Sequence, residues 1–203
     1  MAHNNKVNKV KLILCDTNGK MCDAFKEKFA NDPDVTVTNR SFTEVEYFDA
    51  IVSPANSFGL MDGGIDWFIT DYFGKQLMTR VQEKIICDYL GEQPVGSAFV
   101  IETGNEMHPY LVHSPTMRVP KSVKGTDIAY VSTHAALIAV NRHNRENKNK
   151  IEILLMCGMG TGCGELDYNI AASQMARAWK NQRYITDKIT WSYAQRREEE
   201  IKI

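Results

Sequence analysis

The run Asp49-Ala-Ile-Val-Ser-Pro-Ala-Asn56-Ser-Phe-Gly-Leu-Met-Asp-Gly63-Gly64 passes from an apolar strand into a polar, glycine-bearing loop, and Ile65-Asp66 begins a helical pattern. A strand end can present Asn56, whose amide offers both a donor and an acceptor to a sugar hydroxyl. Gly63 and Gly64 let backbone amides face outward at the start of a helix, where the peptide dipoles favour negative charge. Asp66, ten residues past Asn56, can accept from a hydroxyl or from a water beside a reacting carbon. A second loop of the same kind, Cys157-Gly158-Met159-Gly160-Thr161-Gly162-Cys163-Gly164, follows the apolar run of residues 151–156. Two such loops on one sheet edge can grip a diphosphate from both sides with backbone amides, without a metal. The pattern Gly-x-x-x-x-Gly-Lys-Ser/Thr is absent from the sequence. The expected guest is a phosphorylated small molecule, with no metal and no cofactor.

Each of these residues also has a purely structural use. Asn56 can close the following loop through side-chain to backbone bonds, Asp66 can complement the dipole of a first helical turn, and any single glycine can serve only a positive φ. The register of Asn56 with Asp66, and the recurrence of a glycine cluster at a like position, favour the functional reading. His113, at a strand end, reads as a hydrogen-bonded structural histidine, because no Ser or Cys nucleophile motif accompanies it. Cys163 reads as an inert small side chain, Arg118, Lys121 and Lys124 as a solvated basic loop, and Trp67, Phe68 and Phe73 as core or pocket wall.

The elements that must position these groups follow from apolar periodicity. Short apolar or β-branched runs predict strands at residues 10–15, 35–38, 49–53, 97–102, 110–113 and 151–156. Met21, Phe25 and Phe29 recur every four residues behind Asn18, which predicts a capped helix. Further helices are expected over residues 65–73, along Leu77, Val81, Ile85 and Tyr89 up to Gly91, and behind Asp167 with Ile170, Met175 and Trp179 inward. Thr126 is expected to cap a helix whose buried stripe is Ile128, Val131, Ala135 and Ile138. Strands alternating with helices imply a mostly parallel sheet covered on both faces, with ligands at the carboxyl ends of the strands.

The chain of 203 residues, 43% of them apolar, suffices for one well-packed domain. That domain is expected over residues 1–185, with residues 186–203 as a peripheral helix or partly disordered tail. Five cysteines without CxxC spacing suggest neither a zinc knuckle nor a disulfide framework, and fit a reducing cytoplasm. No stretch approaches the roughly 20 apolar residues of a membrane span. With 24 basic and 25 acidic side chains, the balance argues against nucleic acid as a partner.

Residues 49–56 together with Met61-Asp-Gly-Gly-Ile-Asp66 resemble the macro domain family, which binds ADP-ribose. Tyr110-Leu-Val-His-Ser-Pro115 and Met159-Gly-Thr-Gly-Cys-Gly164 match further family segments in order, so the likeness spans about residues 35 to 183. The spacing of Asn56 and Asp66 is that of the hydrolase-type branch. The resemblance implies a three-layer α/β/α sandwich with a mixed, mostly parallel central sheet. It implies that Asn56 orients the distal ribose and that Asp66 positions or activates water to split an ADP-ribosyl ester or ADP-ribose 1″-phosphate. It places Ser41, Phe42, Ser53, Ala55, Ile65 and Pro115 around the ligand, beside Gly63, Gly64 and residues 158–164. The chain departs from the family at Ser41, where an adenine-binding Asp is common, at Thr70, where a His is common, and at Gly164 and Leu166, where aromatic residues are common. A non-catalytic module that binds or sequesters ADP-ribose-like nucleotides is therefore the alternative, and a scaffold or RNA-binding protein the weakest reading.

Overall fold

Period-two alternation along the strands divides the core in two. Leu12, Leu14, Ala50, Val52, Val112, Leu154 and Met156 belong to one buried cluster, while Cys15, Ile51, Leu111 and Leu155 belong to another. Successive side chains on a strand point to opposite faces, so both faces of the sheet are buried and the central strands read as nearly continuous apolar runs. The computed structural model describes residues 10 to 201. The strands are β1 (Lys11–Asp16), β2 (Val35–Asn39), β3 (Ala50–Ser53), β4 (Phe99–Glu102), β5 (Tyr110–His113) and β6 (Ile153–Met156), in the spatial order β2-β1-β6-β3-β5-β4. Every neighbouring pair is parallel except β4 with β5. The expected three-layer sandwich with a mixed, mostly parallel sheet is the observed architecture.

Helices α1 (Gly19–Lys28), α4 (Ile128–Glu146) and α5 (Tyr168–Arg183) supply Met21, Phe25, Leu137, Met175 and Trp179 to the first cluster. Helices α2 (Gly64–Phe73) and α3 (Lys75–Tyr89) supply Ile69, Leu77, Val81 and Ile85 to the second. Each large side chain fully buried in this way contributes roughly 1.5–3 kcal/mol. Asn18 caps α1 by accepting from the Lys20 amide, and Asp167 caps α5 by accepting from Asn169 and Ile170. The Trp179 indole N–H donates to Asp32 at 2.8 Å and Arg183 pairs with Asp32 and Asp34, which fixes α5 against the turn before β2.

Three expectations need correction. Helix α3 ends at Tyr89, and the residue in the left-handed conformation at its end is Leu90 (φ 55°), followed by Gly91 at φ 92°. The buried face of α4 is wider than a single stripe: Ala129, Ala136, Leu137 and Val140 are inside and Ile138 is 47% exposed. The reason is that α4 packs both on the sheet and on α5, where alanines allow close approach. Thr126 does not cap it. The Gln174 carboxamide of α5 accepts from the Ala129 and Tyr130 amides instead, a cap supplied by a residue far along the chain.

A final helix, α6 (Trp191–Glu199), buries no residue fully and is held by Arg197 donating to the Tyr130 hydroxyl and by the Arg177–Glu200 pair. Among the described residues no helix is long and apolar enough to cross a membrane, and no group of three His, Cys, Asp or Glu side chains could hold a metal ion. The five cysteines are free thiols.

The loop that leaves β3 rests on α3 at Gly59, which has φ +64°, and a Cβ there would come within 2.8 Å of Val81 Cγ1 and 2.9 Å of Ile85 Cδ1. Gly59→Ala is expected to destabilise the protein by about 2–4 kcal/mol, from backbone strain plus overpacking. Urea unfolding should show a lower midpoint with an unchanged m value, and a midpoint equal to that of the parent would refute this packing account.

Candidate functional site

The carboxyl edge of the sheet opens into a cleft of about 700 Å³. Its walls come from the ends of five strands. The β3–α2 loop contributes Ala55, Asn56, Gly63, Gly64, Ile65 and Asp66, and the β6–α5 loop contributes Gly158 and residues 160–164. The ends of β1 and β2 contribute Asp16, Arg40, Ser41 and Phe42, and the segment after β5 contributes Thr116 and Met117.

Both glycine loops present unpaired backbone donors to this space. Helix α2 has no side-chain cap, its first backbone bond runs from Trp67 to the Gly63 carbonyl, and among the described residues nothing accepts from the amides of Gly64, Ile65 and Asp66. In the second loop, the amides of Gly160, Thr161, Gly162 and Cys163 likewise have no protein acceptor among the described residues. The Gly158 amide is different, because it donates to the Asp16 carboxylate at 3.1 Å. The second loop is held in its shape by the Gly160 carbonyl, which accepts from the Leu166 amide and against which a Cβ at position 164 would collide. Gly64 and Gly160 take positive φ angles, whereas Gly63 and Gly162 do not. Free N–H groups at a helix start and in a glycine loop, together on one cleft, make an anion-binding concavity.

Asp66 lies in the first turn of α2, lines the cleft, and is only 6% exposed. Burial pushes its carboxyl up to about 6, the Ser53 hydroxyl bond at 2.5 Å opposes that rise, and the Asp62 charge adds to it. Among the described residues no cation offsets the burial. Asn56 is engaged by its own loop: its Oδ1 accepts from the Phe58 and Leu60 amides, and its Nδ2 donates to the Leu60 carbonyl at 2.7 Å. The loop-closing use of Asn56 is therefore realised, and one N–H remains for a ligand, not the donor and acceptor together that the sequence suggested.

Three of the expected ligand-contacting residues do not line the cleft. Ser53 ends β3 on the α2 side, is fully buried, and lies behind Asp66 as its hydrogen-bond donor. Pro115 is buried, with its carbonyl accepting from Ser132, and Met159 packs inward in the first core cluster. Of the positions that depart from the family pattern, Thr70 is buried and donates to the Met61 carbonyl at 2.9 Å, clamping the first loop to α2. Leu166 is core, so it leaves the second loop without an aromatic wall. Ser41 lines the cleft, but its hydroxyl accepts from the Thr43 amide while its own amide donates to Glu44, a capping box for the single 3-10 turn Phe42–Glu44.

His113 is fully enclosed, bonded through Nδ1 to Gln93 at 2.6 Å, and held neutral by burial, which lowers it to about 3. Arg118 pairs with Glu92 and Lys124 with Glu165, so these cations are not free to attract phosphate. Cys157, enclosed beside the floor of the cleft, keeps its thiol proton because burial raises it. Asp16, Arg40 and Thr116 were not anticipated. A polar turn after the first strand was legible, but the adjacency of β1 to β6, which brings Asp16 beneath the second loop, was not.

A family model described as Macro domain matches residues 52–175, more than half of the chain. An uncharacterized protein of Aquifex aeolicus is 34% identical over 142 residues, covering 70% of this chain and 78% of that protein. Among solved structures, the macrodomain of Mycobacterium tuberculosis DarG superposes with a TM-score of 0.59 at 20% identity, covering 72% of this chain and 90% of that one. Thermosipho africanus DarTG in complex with ADP-ribose gives a TM-score of 0.55 at 14% identity, over 84% of this chain and 50% of that one.

The elevated Asp66 carboxyl has a consequence for stability. Folded Asp66 keeps its proton up to about pH 6, whereas the unfolded chain releases it near the ordinary value of 3.8. Folding therefore takes up a proton in this window, and stability falls as pH rises through it. Asp66→Asn is expected to match the parent at pH 4 and to exceed it by about 1–3 kcal/mol at pH 7.5. Chemical denaturation at the two pH values checks this, and a variant that is less stable at pH 7.5 would show that the carboxylate is stabilised in a way the structure does not contain.

Proposed function

The chain belongs to the macro domain family, and on that premise we propose that its cleft binds ADP-ribose or a closely related nucleotide and hydrolyses an ADP-ribosyl ester or ADP-ribose 1″-phosphate. The observation that carries this reading is the pair of unpaired amide rows, at the start of α2 and in the second glycine loop, on the walls of one cleft. A diphosphate satisfies both rows at once without a metal or a lysine. Its distal sugar then lies toward Asn56 and Asp66, and its base toward the ends of β1 and β2.

In the hydrolytic step, a water attacks the anomeric carbon, the bond from that carbon to the ester or phosphate oxygen breaks, and the acid leaves. Asp66 takes the proton of the attacking water. A carboxyl that titrates near 6 suits a base operating near neutral pH, being mostly ionised there yet basic enough to accept a proton. The remaining N–H of Asn56 can hold a ribose hydroxyl in place. The alternative, a binding module without turnover, has its own support, because Asn56 spends most of its hydrogen-bonding capacity on its own loop and Thr70 occupies its position with a structural bond.

Titration calorimetry is expected to show ADP-ribose binding with a Kd on the order of micromolar. Asp66→Ala should remove turnover by at least about 10²-fold while leaving the protein folded. Asn56→Ala should lower turnover and also cost about 1 kcal/mol of stability, since the loop loses its internal bonds. Binding by the parent without release of product from either substrate would favour the binding module, and absence of binding would remove both readings. With the Ser41 hydroxyl committed to its capping box, adenine selectivity is expected to be weak: the inosine counterpart of ADP-ribose should bind within about tenfold. A preference for adenine of a hundredfold or more would mean that another group reads the base.

A further inference from the structure

We propose that Ser53 is a positioning residue for Asp66: its buried hydroxyl, donated to Oδ1, fixes the carboxylate so that Oδ2 is the oxygen presented to the cleft. The inference rests on the reading that Asp66 acts on a ligand there, and it assigns a role to a residue that does not touch that ligand.

Ser53 is the last residue of β3 and has no exposed surface. Its neighbours on either side are locked into the sheet, since β3 pairs with β5 through Ser53 and with β6 through Ala50 and Ile51, and the Ser53 carbonyl accepts from the Ser114 amide. The hydroxyl therefore departs from a rigid base. On α2, Asp66 is held by the first helical turn, and Ile69 and Thr70 bury the face on which it lies. The two side chains meet at 2.5 Å, a short distance of the kind formed by a hydroxyl donating to a charged carboxylate. Oδ2 has no protein partner among the described residues, and the small exposed fraction of Asp66 belongs to the cleft wall.

The surroundings make this single bond decisive. The charged and titratable groups near Asp66 are Asp62, in the loop before α2, and Cys157, past the end of β6. Asp62 repels a second negative charge, and Cys157 keeps its proton, so neither stabilises the ionised carboxylate. His113 on β5 is neutral. Of the described side chains around Asp66, the Ser53 hydroxyl is the one that donates to its carboxylate, adding to the dipole at the start of α2, and it does so from behind the cleft wall without altering the shape that a ligand meets.

The test is Ser53→Ala, with Ser53→Cys as a smaller change that keeps a weak donor. Carbon-detected NMR of the carboxyl groups, with Asp66→Asn used to assign the signal, reads the titration of Asp66 without any substrate. The midpoint is expected near 6 in the parent and about one pH unit higher in Ser53→Ala, with Ser53→Cys between them. The acid limb of the kcat profile should move by the same amount, while KM and the Kd of ADP-ribose change less than about twofold. An unchanged Asp66 midpoint in both variants would overturn the proposal, as would a kcat profile whose acid limb stays where it is in the parent. If the parent shows no turnover, the hydrolytic reading fails by itself, and the NMR midpoint still decides whether Ser53 governs Asp66.

Discussion

The carboxyl edge of the sheet is organised around backbone N–H groups that have no acceptor among the described residues. The first amides of a helix have no partner within it and are met by side chains, water or a ligand. Here two sets face a common space, one where α2 starts without a side-chain cap and one in the loop after β6. The remaining architecture keeps those sets in place. Gly59 seats the first loop on α3, Thr70 ties it back to α2, and Asp16 grips the second loop through Gly158. Amides arranged in this way favour an anion.

The same edge contains a second tension, between stability and charge. Asp66 is enclosed, faces no cation among the described residues, and has an acidic neighbour in Asp62. An ionised carboxylate in that place works against folding, so a residue kept only for stability would be neutral. The site tolerates it through one hydroxyl from β3. Asn56 shows the opposite allocation. Its amide supports the loop that carries Gly63 and Gly64, so changes at Asn56 act on the shape of the site as well as on its chemistry.

Much of the fold was legible because its causes are local. The strands are short apolar runs between polar turns, and their near-continuous character announced a sheet buried on both faces. Asn18 and Asp167 cap the helices that follow them, as their residue types suggest. Legibility failed where a contact comes from a distant segment. Thr126 had the right type for a cap, but Gln174 does the capping from α5, and the buried arc of α4 is set by having two neighbours instead of one.

For the site, residue type and spacing by themselves determined the two glycine loops and the placement of Asn56 and Asp66 ten residues apart, because amide-rich strand-to-helix turns suit anions at the edge of a parallel sheet. Only the tertiary structure decided which side chains line the cleft. Strand order set β1 beside β6 and so brought Asp16 into the cleft, and pleat parity turned Ser53 behind Asp66 instead of outward. Whether Asn56, Ser41 and Thr70 were free or already bonded depended on atoms a few ångströms away in folded loops, at distances that no linear pattern encodes.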